Sequence, residues 1–435
     1  MADIRAFRAF RYDLGRVGTL SDVVAPPYDV IDARLQQALY DKSPHNVIRL
    51  ILNKEEPGDT ETNNRYTRAA RTLRQMQQDG ILVQDSARAL YVYHQEFEVE
   101  GRRSTRKGFL ARVRLERFGA GKIYPHEETL AGPKADRLNL FRATAMNLSP
   151  IFGLYPDEAS EVQGQLDAAI HRALPLEATD HLGVVHRLWP VTDQHITSMV
   201  TGMMGPKPIF IADGHHRYET ALRYLDERRE AGEVRDGEAA ANFVLMMLVS
   251  MSDPGLLILP THRLLSGIGP LSAEQLGGLL ASHFQLEVVG KGEEGARAAW
   301  ELVEAGDGQD VLGFGTVADG VWQAARFRTP QVMAELAAEH SEAWRGLAVS
   351  VLHVLVLGRL LSNAGTHAQC RYVHLLREVT EAVATRQCQL AVLVPPAGMQ
   401  HVEQIAGNLE KMPPKSTYFY PKLLSGLVFN SLKGN

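Results

Sequence analysis

The amino-acid sequence predicts an α+β protein of more than one domain, and three observations lead to that prediction. Its 435 residues exceed the roughly 150 residues of an ordinary domain. Apolar or alternating segments of strand length recur along the chain, as at residues 90–99 and 243–250. Segments with apolar residues at helical spacing lie between them, as at residues 63–78. Several mixed units of helices and strands are therefore expected.

Residues 1–120 are predicted to form an N-terminal α/β extension. The Pro26-Pro27 pair makes residues 25–28 a stiff extended turn, because each proline restricts its own φ and the residue before it. The elements expected after this turn are, in order, a helix at 32–41, a buried strand at 46–52, a helix at 63–78, and strands at 90–99 and 109–115 that pair around a basic turn at 101–107.

The rest of the chain is predicted to divide into three further segments. Residues 121–265 form the core that carries the chemistry, 266–380 an inserted α/β lobe without a chemical motif, and 381–435 a C-terminal segment of the substrate site. The elements expected in the core and in the C-terminal segment are strands at 151–155, 182–188, 208–212, 243–250, 256–259 and 391–394 and helices at 161–174 and 399–409.

The composition limits the kinds of partner. Lys and Arg number 46 and Asp and Glu 51, a formal net charge of −5, whereas a general nucleic-acid binder would carry a basic excess. No signal-peptide core is present, and the longest apolar run is far below the roughly 20 residues of a membrane span. We expect a cytoplasmic protein that acts on small molecules, with no nucleic-acid or membrane partner. The sequence does not decide between a monomer and a homodimer.

The strongest chemical signal lies at residues 208–222, where an apolar strand ends abruptly and an amphipathic helix begins. The turn between them consists of Asp213, Gly214, His215, His216 and Arg217. The first turn of a helix carries N–H groups without intrahelical partners, and a glycine lets a ligand approach them closely. Arg217 adds a guanidinium that suits phosphate oxygens. The pattern predicts an anion site, with phosphate as the preferred ligand.

Two other interpretations of this turn stay open. It can be an ordinary strand-to-helix turn whose histidines cap or pack. It can also be a zinc site built from Asp213, His215, His216 and His126. Adjacent helical residues point about 100° apart, so two neighbouring histidines do not easily share one metal ion.

The turn resembles the nucleotide-phosphate motif of the ParB/sulfiredoxin-like fold, and more specifically that of the free L-serine kinases built on this fold. Those kinases also carry an upstream Pro-His-Glu, matched here by residues 125–127, and a C-terminal segment matched by residues 414–417. Over its whole length the chain resembles the bacterial family known as domain of unknown function 1015. The hallmarks it shares are Ala-Pro-Pro-Tyr-Asp-Val, His-Glu-x-Thr, Ala-Asp-Gly-His-His-Arg and Lys-Ser-Thr-Tyr-Phe-Tyr-Pro-Lys.

The resemblance implies a ParB/sulfiredoxin-like nucleotide-binding core and a Mg²⁺-dependent phosphotransferase that uses ATP or ADP. Phosphoryl transfer has a loose transition state, so the protein mainly positions groups and neutralises charge. The resemblance implies that Glu127 is the catalytic base, with His126 and Asp213 beside it, and that Asp213 or Glu128 binds Mg²⁺. The residues implied to bind the nucleotide phosphates are Gly214, His215, His216 and Arg217. The residues implied to bind the acceptor are Lys415, Ser416 and Thr417. For residues 127 and 415–417 the alternative is a solvated or capping loop.

Weaker features carry two interpretations each. Lys134, Asp136 and Arg137 either wall the substrate site or form a helix start with a surface ion pair. Asp29 either faces the site or belongs to a rigid capping turn. A structural role is favoured for His262, Arg263, His353 and His374.

Phosphoryl transfer between ATP or ADP and a small hydroxyl metabolite is the preferred functional hypothesis. Free L-serine is the favoured acceptor, and the reverse reaction from O-phosphoserine uses the same residues. One alternative is a ParB-like nucleotide-dependent switch, which should carry a helix-turn-helix and a basic surface that this sequence lacks. Another is a metabolite-binding protein without turnover.

Overall fold

The computed structural model describes residues 2–127, 131–306, 308–362 and 369–433, with residues 131–133 described by their backbone alone. The chain forms two units. Unit 1 consists of Met1–Pro125, Thr129–Leu256 and Pro421–Asn435, and unit 2 of His126–Glu128 and Leu257–Tyr420. Helices and several sheets are present in both, which confirms the mixed α and β content. The four segments inferred from the sequence stay a prediction.

The strands are numbered in chain order. They are β1 Ile4–Arg5, β2 Phe10–Tyr12, β3 Leu82–Gln84, β4 Leu90–Val99, β5 Arg102–Arg114, β6 Ile123–Pro125, β7 Met146–Asn147, β8 Ile151–Tyr155, β9 Leu176–Thr179, β10 Val185–Val191, β11 Ile209–Asp213, β12 Phe243–Ser250, β13 Leu257–Leu259, β14 His262–Ser266, β15 Phe284–Lys291, β16 Val311–Thr316, β17 Val321–Phe327, β18 Gln369–Val373, β19 Leu390–Leu393, β20 Tyr418–Tyr420 and β21 Asn430–Ser431.

The helices are numbered in the same way. They are α1 Leu14–Val17, α2 Ala33–Lys42, α3 Ile48–Ile51, α4 Arg65–Gln78, α5 Ala131–Thr144, α6 Glu161–Ile170, α7 Gln194–Met204, α8 His215–Glu230, α9 Ala273–Leu280, α10 Gly292–Ala305, α11 Pro330–Leu336, α12 Glu342–Arg345, α13 Ala348–Val351, α14 Leu376–Ala384 and α15 Met399–Gly407. A π-helix spans Leu352–Leu360, and 3₁₀ turns span Leu20–Asp22, Tyr28–Val30 and Ala240–Asn242. None of these helices is both long and apolar enough to cross a membrane.

Unit 1 is built on a nine-stranded sheet with the order β6-β11-β8-β12-β5-β4-β10-β9, and β1 pairs with β5. The pairs β6/β11 and β8/β12 are parallel, and the remaining pairs in this sheet are antiparallel. Every residue of β12 is buried, because the strand lies in the middle of the sheet. Its side chains Met246 and Leu248 pack with Phe109 and Tyr155 in the core that supports β11.

Unit 2 is built on a six-stranded antiparallel sheet with the order β15-β17-β16-β19-β14-β18. The residues of β19 alternate between two hydrophobic clusters. Leu390 and Val392 belong to one cluster, and Ala391 and Leu393 to the other. Since successive strand residues point to opposite faces, the sheet is buried on both sides. A two-stranded pair, β13 with β20, brings residues 257–259 beside the C-terminal segment 418–420.

Two local predictions were wrong. The apolar run at residues 46–52 forms the short helix α3, because the Asn46 side chain accepts from the Ile48 N–H at 2.9 Å and so starts a helical turn. The basic residues 102–107 are part of β5. The turn before them consists of Glu100 and Gly101, both with positive φ (51° and 77°), as in a two-residue hairpin.

Candidate functional site

The turn between β11 and α8 contains the predicted anion motif. The pairing of β11 with β8 shifts register between Ile211 and Asp213, and a bulge of this kind re-aims the side chain that follows it. Gly214 then adopts φ +91°, in the left-handed region that glycine enters without a steric penalty, and serves as the N-cap of α8. The strand therefore ends and the helix begins within a single residue.

The Asp213 carboxylate is bound by two cations. Lys422 Nζ lies 3.1 Å from Oδ1, and Arg217 Nη2 lies 2.8 Å from Oδ2. Burial by itself would raise the pKa of Asp213, but the charges of Lys422 and Arg217 hold it well below its ordinary value. Asp213 is therefore an ionised carboxylate, and its two oxygens are both engaged by protein groups.

These contacts bear on the predicted Mg²⁺ site. A metal ion at Asp213 would compete with Lys422 and Arg217 for the same two oxygens, so the carboxylate does not fit the role of a metal ligand. The second predicted ligand, Glu128, lies outside the described residues. Within the described ranges no group of three or more His, Cys, Asp or Glu side chains could hold a metal ion, and this includes the set considered for zinc.

Arg217 is buried and bound to the protein. Its Nη1 donates to the Pro150 carbonyl in addition to the bond from Nη2 to Asp213. Its guanidinium also lies against Gly214, since a Cβ placed on that glycine would come within 2.9 Å of the Arg217 Cζ. A phosphate that binds Arg217 would therefore share its guanidinium with the Pro150 carbonyl and the Asp213 carboxylate.

Three residues without a predicted role lie beside this turn and hold one another in place. Arg106, fully buried on β5, donates from Nε to Gln95 Oε1 at 3.1 Å and from Nη2 to the Pro421 carbonyl. Gln95 on β4 donates from Nε2 to the Lys422 carbonyl at 3.0 Å. Lys422 is the last residue of a motif noted in the sequence, but buried Arg106 and Gln95 carry no local sequence signal.

Charged side chains of both signs interact around this turn. Burial lowers the pKa of Arg106 to about 10, although Tyr93, Asp253 and Asp213 act in the opposite direction, and the guanidinium is ionised at neutral pH. Asp253 acts on Arg106 more strongly than Asp213 does, whereas Lys422 and Arg217 both act on Asp213. Buried charge is costly unless it is compensated. The N-terminus of α8, with Lys422 and Arg217 beside it, suits an anionic ligand.

Tyr28, from the Pro-Pro turn, belongs to the same charged environment. Burial, together with the charge of Asp29, raises the pKa of Tyr28 to about 12, and the smaller effects of Arg137, Arg217 and Asp213 also reach its hydroxyl. The Arg137 guanidinium lies over the Tyr28 ring, with 4.0 Å from Cζ to the ring centroid, and donates from Nη1 to the Ile51 carbonyl at 2.7 Å. Asp29, the residue predicted either to face the site or to belong to a capping turn, is exposed in the 3₁₀ turn Tyr28–Val30, and its role stays a prediction.

The two basic residues predicted near the acceptor have partners within unit 1. Lys134 forms an ion pair with Glu219 on α8, and Arg137 pairs with its neighbour Asp136. Both side chains attach α5 to its surroundings. Their role in substrate binding stays a prediction.

The other predicted residues come together in unit 2. The Lys415 N–H donates to Glu127 Oε1 at 2.6 Å, and His126 Nε2 lies 2.8 Å from Thr417 Oγ1. The backbone of His126 accepts from Met412 N at 2.7 Å, which forms a parallel bridge beside these contacts. Ser416 is buried and donates from Oγ to the Pro413 carbonyl at 2.5 Å. The sequence-predicted base and the Lys-Ser-Thr segment are therefore direct neighbours.

The Lys415 backbone is held in an unusual conformation. Its φ of +61° lies in the left-handed region, which non-glycine residues rarely adopt and which costs of order 1–3 kcal/mol. The bond to Glu127 fixes its N–H, and Arg263 Nη2 donates to its carbonyl at 3.0 Å. The side chain is exposed. Backbone strain of this kind occurs often at functional sites.

Arg263 is a buried cation beside Thr261 and His353, and we call these three residues the polar cluster. Its Nη1 donates to the Thr261 carbonyl, and its charge interacts with Tyr372 and Glu127. Burial lowers the pKa of Arg263 to about 10. Near Arg263, three buried atoms have no hydrogen-bond partner among the described residues: Arg263 Nε, Thr261 Oγ1 and His353 Nε2. His353 lies on the π-helix, a feature that is frequent at functional sites.

The low pKa of His262 predicts a pH dependence of stability. Burial, together with the charge of Arg263, lowers the pKa of His262 to about 3 from 6.5. The unfolded chain therefore binds the extra proton between these values, and stability falls as pH falls from 6.5 toward 3. The expected slope from this group is up to about 1.4 kcal/mol per pH unit.

The variant His262→Gln should remove the contribution of His262 to the slope of unfolding free energy against pH. Urea unfolding followed by tryptophan fluorescence measures it, because Trp300 lies edge-on to His262 with 4.9 Å between the ring centroids. His195→Gln, at an exposed position in unit 1, serves as the control. Equal slopes for His262→Gln and the parent protein would contradict the assignment.

The turn glycine predicts a second effect on stability. Gly214→Ala should destabilise the protein by about 1–3 kcal/mol, because alanine at a φ of +91° is strained and its Cβ would meet the Arg217 guanidinium. Gly202→Ala, on an exposed position inside α7 with open space around the added Cβ, should stabilise by about 0.5–1 kcal/mol. Urea unfolding compares the two, and changes of the same sign would contradict the account of the turn.

The fold and these residues define an α+β protein with a strand-to-helix turn of paired charged side chains in one unit and the polar cluster in the other. The chain belongs to the family described as protein of unknown function (DUF1015), whose family model matches residues 4–350. No curated protein matches the sequence.

Solved structures with a similar arrangement of the chain share little sequence with it. A free serine kinase in complex with AMP has 13% identity and a TM-score of 0.34, over 68% of this chain and 83% of that chain. A conserved hypothetical protein from Pyrococcus furiosus has 13% identity and a TM-score of 0.34, over 69% and 89%. SbnI from Staphylococcus aureus, with a C-terminal truncation, has 12% identity and a TM-score of 0.33, over 73% and 86%.

Proposed function

We propose that the protein is a phosphotransferase that moves a phosphoryl group between ATP or ADP and a small hydroxyl metabolite, with free L-serine as the favoured acceptor. The observation that carries the proposal is the β11–α8 turn, where Gly214 starts α8 in a left-handed conformation and Lys422 and Arg217 bind the Asp213 carboxylate. Nucleotide phosphates suit a helix N-terminus with two cations beside it.

In this proposal the β11–α8 turn belongs to a ParB/sulfiredoxin-like core and binds the nucleotide. The backbone N–H groups at His215 and His216 face a ligand at the helix N-terminus, and Gly214 leaves room for its oxygens. Lys422 adds a point charge whose position is fixed by Asp213. Asp213 then has a positioning role, and we do not assign Mg²⁺ to it. We propose that Mg²⁺ accompanies the nucleotide phosphates, where it neutralises charge.

The proposed acceptor site is the group of residues around Lys415. Glu127 accepts the proton of the attacking hydroxyl, the hydroxyl oxygen forms a bond to the terminal phosphorus, and the bond from that phosphorus to the leaving nucleotide oxygen breaks. ATP would leave as ADP, and ADP as AMP. Thr417, held by His126, and the orphaned polar atoms around Arg263 offer partners for the ammonium and carboxylate of an amino acid.

The experiment that tests the proposal uses the purified full chain with Mg²⁺, L-serine, and ATP or ADP in turn. Mass spectrometry should detect O-phosphoserine with at least one donor, and O-phosphoserine with ADP or AMP should run the reaction backwards. L-Alanine, which lacks the hydroxyl, is the matched control and should give no product. Absence of turnover in both directions would overturn the proposal, and a response to CTP that depends on DNA would support the switch instead.

A further inference from the structure

We infer that unit 1 carries a second anion-binding site, formed by residues other than those of the β11–α8 turn, and that its ligand is a small phosphate compound. A cavity of ≈ 200 Å³ is lined by four cationic side chains and one acidic side chain. The cations are Arg8, Arg88, Arg112 and Lys433, and the acid is Glu238. The inference does not depend on the proposed phosphotransferase activity.

Arg112 is the central residue of this cavity. It lies on β5 between Arg5 of β1 and Leu245 of β12, and its guanidinium packs on the Phe243 ring with 5.0 Å from Cζ to the centroid. Its Nε is buried without a hydrogen-bond partner, and no ion pair joins Arg112 to any residue that the structure describes. A buried guanidinium N–H without an acceptor is costly and points to a missing hydrogen-bond partner.

The nearby carboxylates are already used by other arginines. Asp3 pairs with Arg5 at 2.8 Å and with Arg114 at 2.7 Å. Glu238 pairs with Arg5 and lies 3.4 Å from Arg114. Asp3 and Glu238 act on Arg112 through their charges, but their carboxylates are bound by Arg5 and Arg114. The cavity lining thus holds four cations and one acid, although the whole chain carries a formal net charge of −5.

The other two arginines of the cavity, Arg88 and Arg8, add positive charge near Arg112. Arg88 is exposed and lies close enough to act on Arg112 as a like charge. Arg8 donates from Nε to the Asp85 backbone carbonyl at 2.8 Å, whereas the Asp85 carboxylate is paired with Arg11 at 2.5 Å. Like charges held together destabilise the folded chain, and a bound anion would relieve that cost.

The side chains that line the cavity, and its volume, indicate the class of ligand. Guanidinium groups match the oxygens of phosphate with two parallel hydrogen bonds, and arginines outnumber lysine here by three to one. The volume of ≈ 200 Å³ is below the roughly 300 Å³ at which pockets for drug-sized ligands begin. We therefore assign the site to a compact anion with one or two phosphate groups, with pyrophosphate as the probe.

Titration calorimetry of pyrophosphate into the full chain tests the inference. Arg112→Met keeps the packing on Phe243 and removes the charge, and it should weaken pyrophosphate binding at least about tenfold, the loss expected for one charged hydrogen bond. Arg103→Met, at an exposed position of the same strand, is the matched control and should leave the affinity unchanged. Equal affinity for Arg112→Met and the parent protein would overturn the inference.

Two further variants separate this site from the β11–α8 turn. The double variant Arg88→Ala with Lys433→Ala changes only exposed side chains, so it should fold normally and still weaken pyrophosphate binding at least about tenfold. Lys422→Met should leave this binding event unchanged. Loss of pyrophosphate binding in Lys422→Met, with retention in the double variant, would place the anion at the turn and refute the second site.

Discussion

Replacing Glu127 by glutamine is expected to lower kcat for phosphorylation of L-serine by about 10²–10⁴-fold, the range of a general base. The amide cannot take the proton of the attacking hydroxyl. Its oxygen can still accept the Lys415 N–H, which lies 2.6 Å from Oε1 in the parent protein, so the strained Lys415 backbone should keep its conformation. The loss should therefore appear in the chemical step.

The measurements that check this expectation are steady-state kinetics and calorimetry. Affinity for ADP should stay within about twofold of the parent value, because the charged turn that is proposed to bind the nucleotide is unchanged. Glu403→Gln replaces an exposed glutamate of α15 in the same way and should leave kcat unchanged. A kcat for Glu127→Gln equal to that of the parent protein would show that Glu127 is only a structural partner of the Lys415 loop.

Much of the fold follows from local patterns in the sequence. The strands at residues 90–99, 151–155 and 243–250 were predicted with the bounds that the structure has, because uninterrupted apolar or alternating runs of that length suit a buried sheet. The pattern fails at residues 46–52. A short apolar run can be buried equally well as a helix or as a strand. At residues 46–52 the hydrogen bond from the Ile48 N–H to the Asn46 side chain favours the helix.

The candidate site was predictable where its residues follow one another in the chain. The turn at residues 213–217 and the segment 415–417 stand out as local motifs. Arg106 and Arg263 do not, because nothing in their neighbouring residues indicates that an arginine will be buried. Their burial depends on contacts between distant parts of the sequence, such as the bond from Arg106 to the Pro421 carbonyl and the pairing of β14 with β19 at Arg263. Sequence patterns therefore found the turns and missed the cations that surround them.

Lys422→Met is expected to destabilise unit 1 by about 3–5 kcal/mol, the cost of removing one partner from a buried ion pair. The side chains of Lys422 and Asp213 are only 14% and 18% exposed, so water compensates the remaining charge poorly. Asp213→Asn should also destabilise, because it leaves Lys422 and Arg217 without their carboxylate. Urea unfolding measures both variants.

The double variant decides whether the two residues act as a pair. Lys422→Met with Asp213→Asn should be less destabilised than the sum of the single variants by about 1–3 kcal/mol, the coupling found between residues in direct contact. Strict additivity would show that the 3.1 Å contact contributes nothing to stability.

Nucleotide affinity separates a binding role of Lys422 from a purely structural one. Lys422→Met should weaken ADP binding at least about tenfold, because one phosphate-facing charge is lost. Lys207→Met breaks another ion pair of unit 1, 3.2 Å from Asp157, and should lower stability without changing the affinity for ADP. Asp213→Asn should keep the affinity, since it removes a negative charge from the turn and leaves both cations. If ADP binding were lost in Asp213→Asn and kept in Lys422→Met, the carboxylate would be the group that the ligand needs, and the turn would not be the phosphate site proposed here.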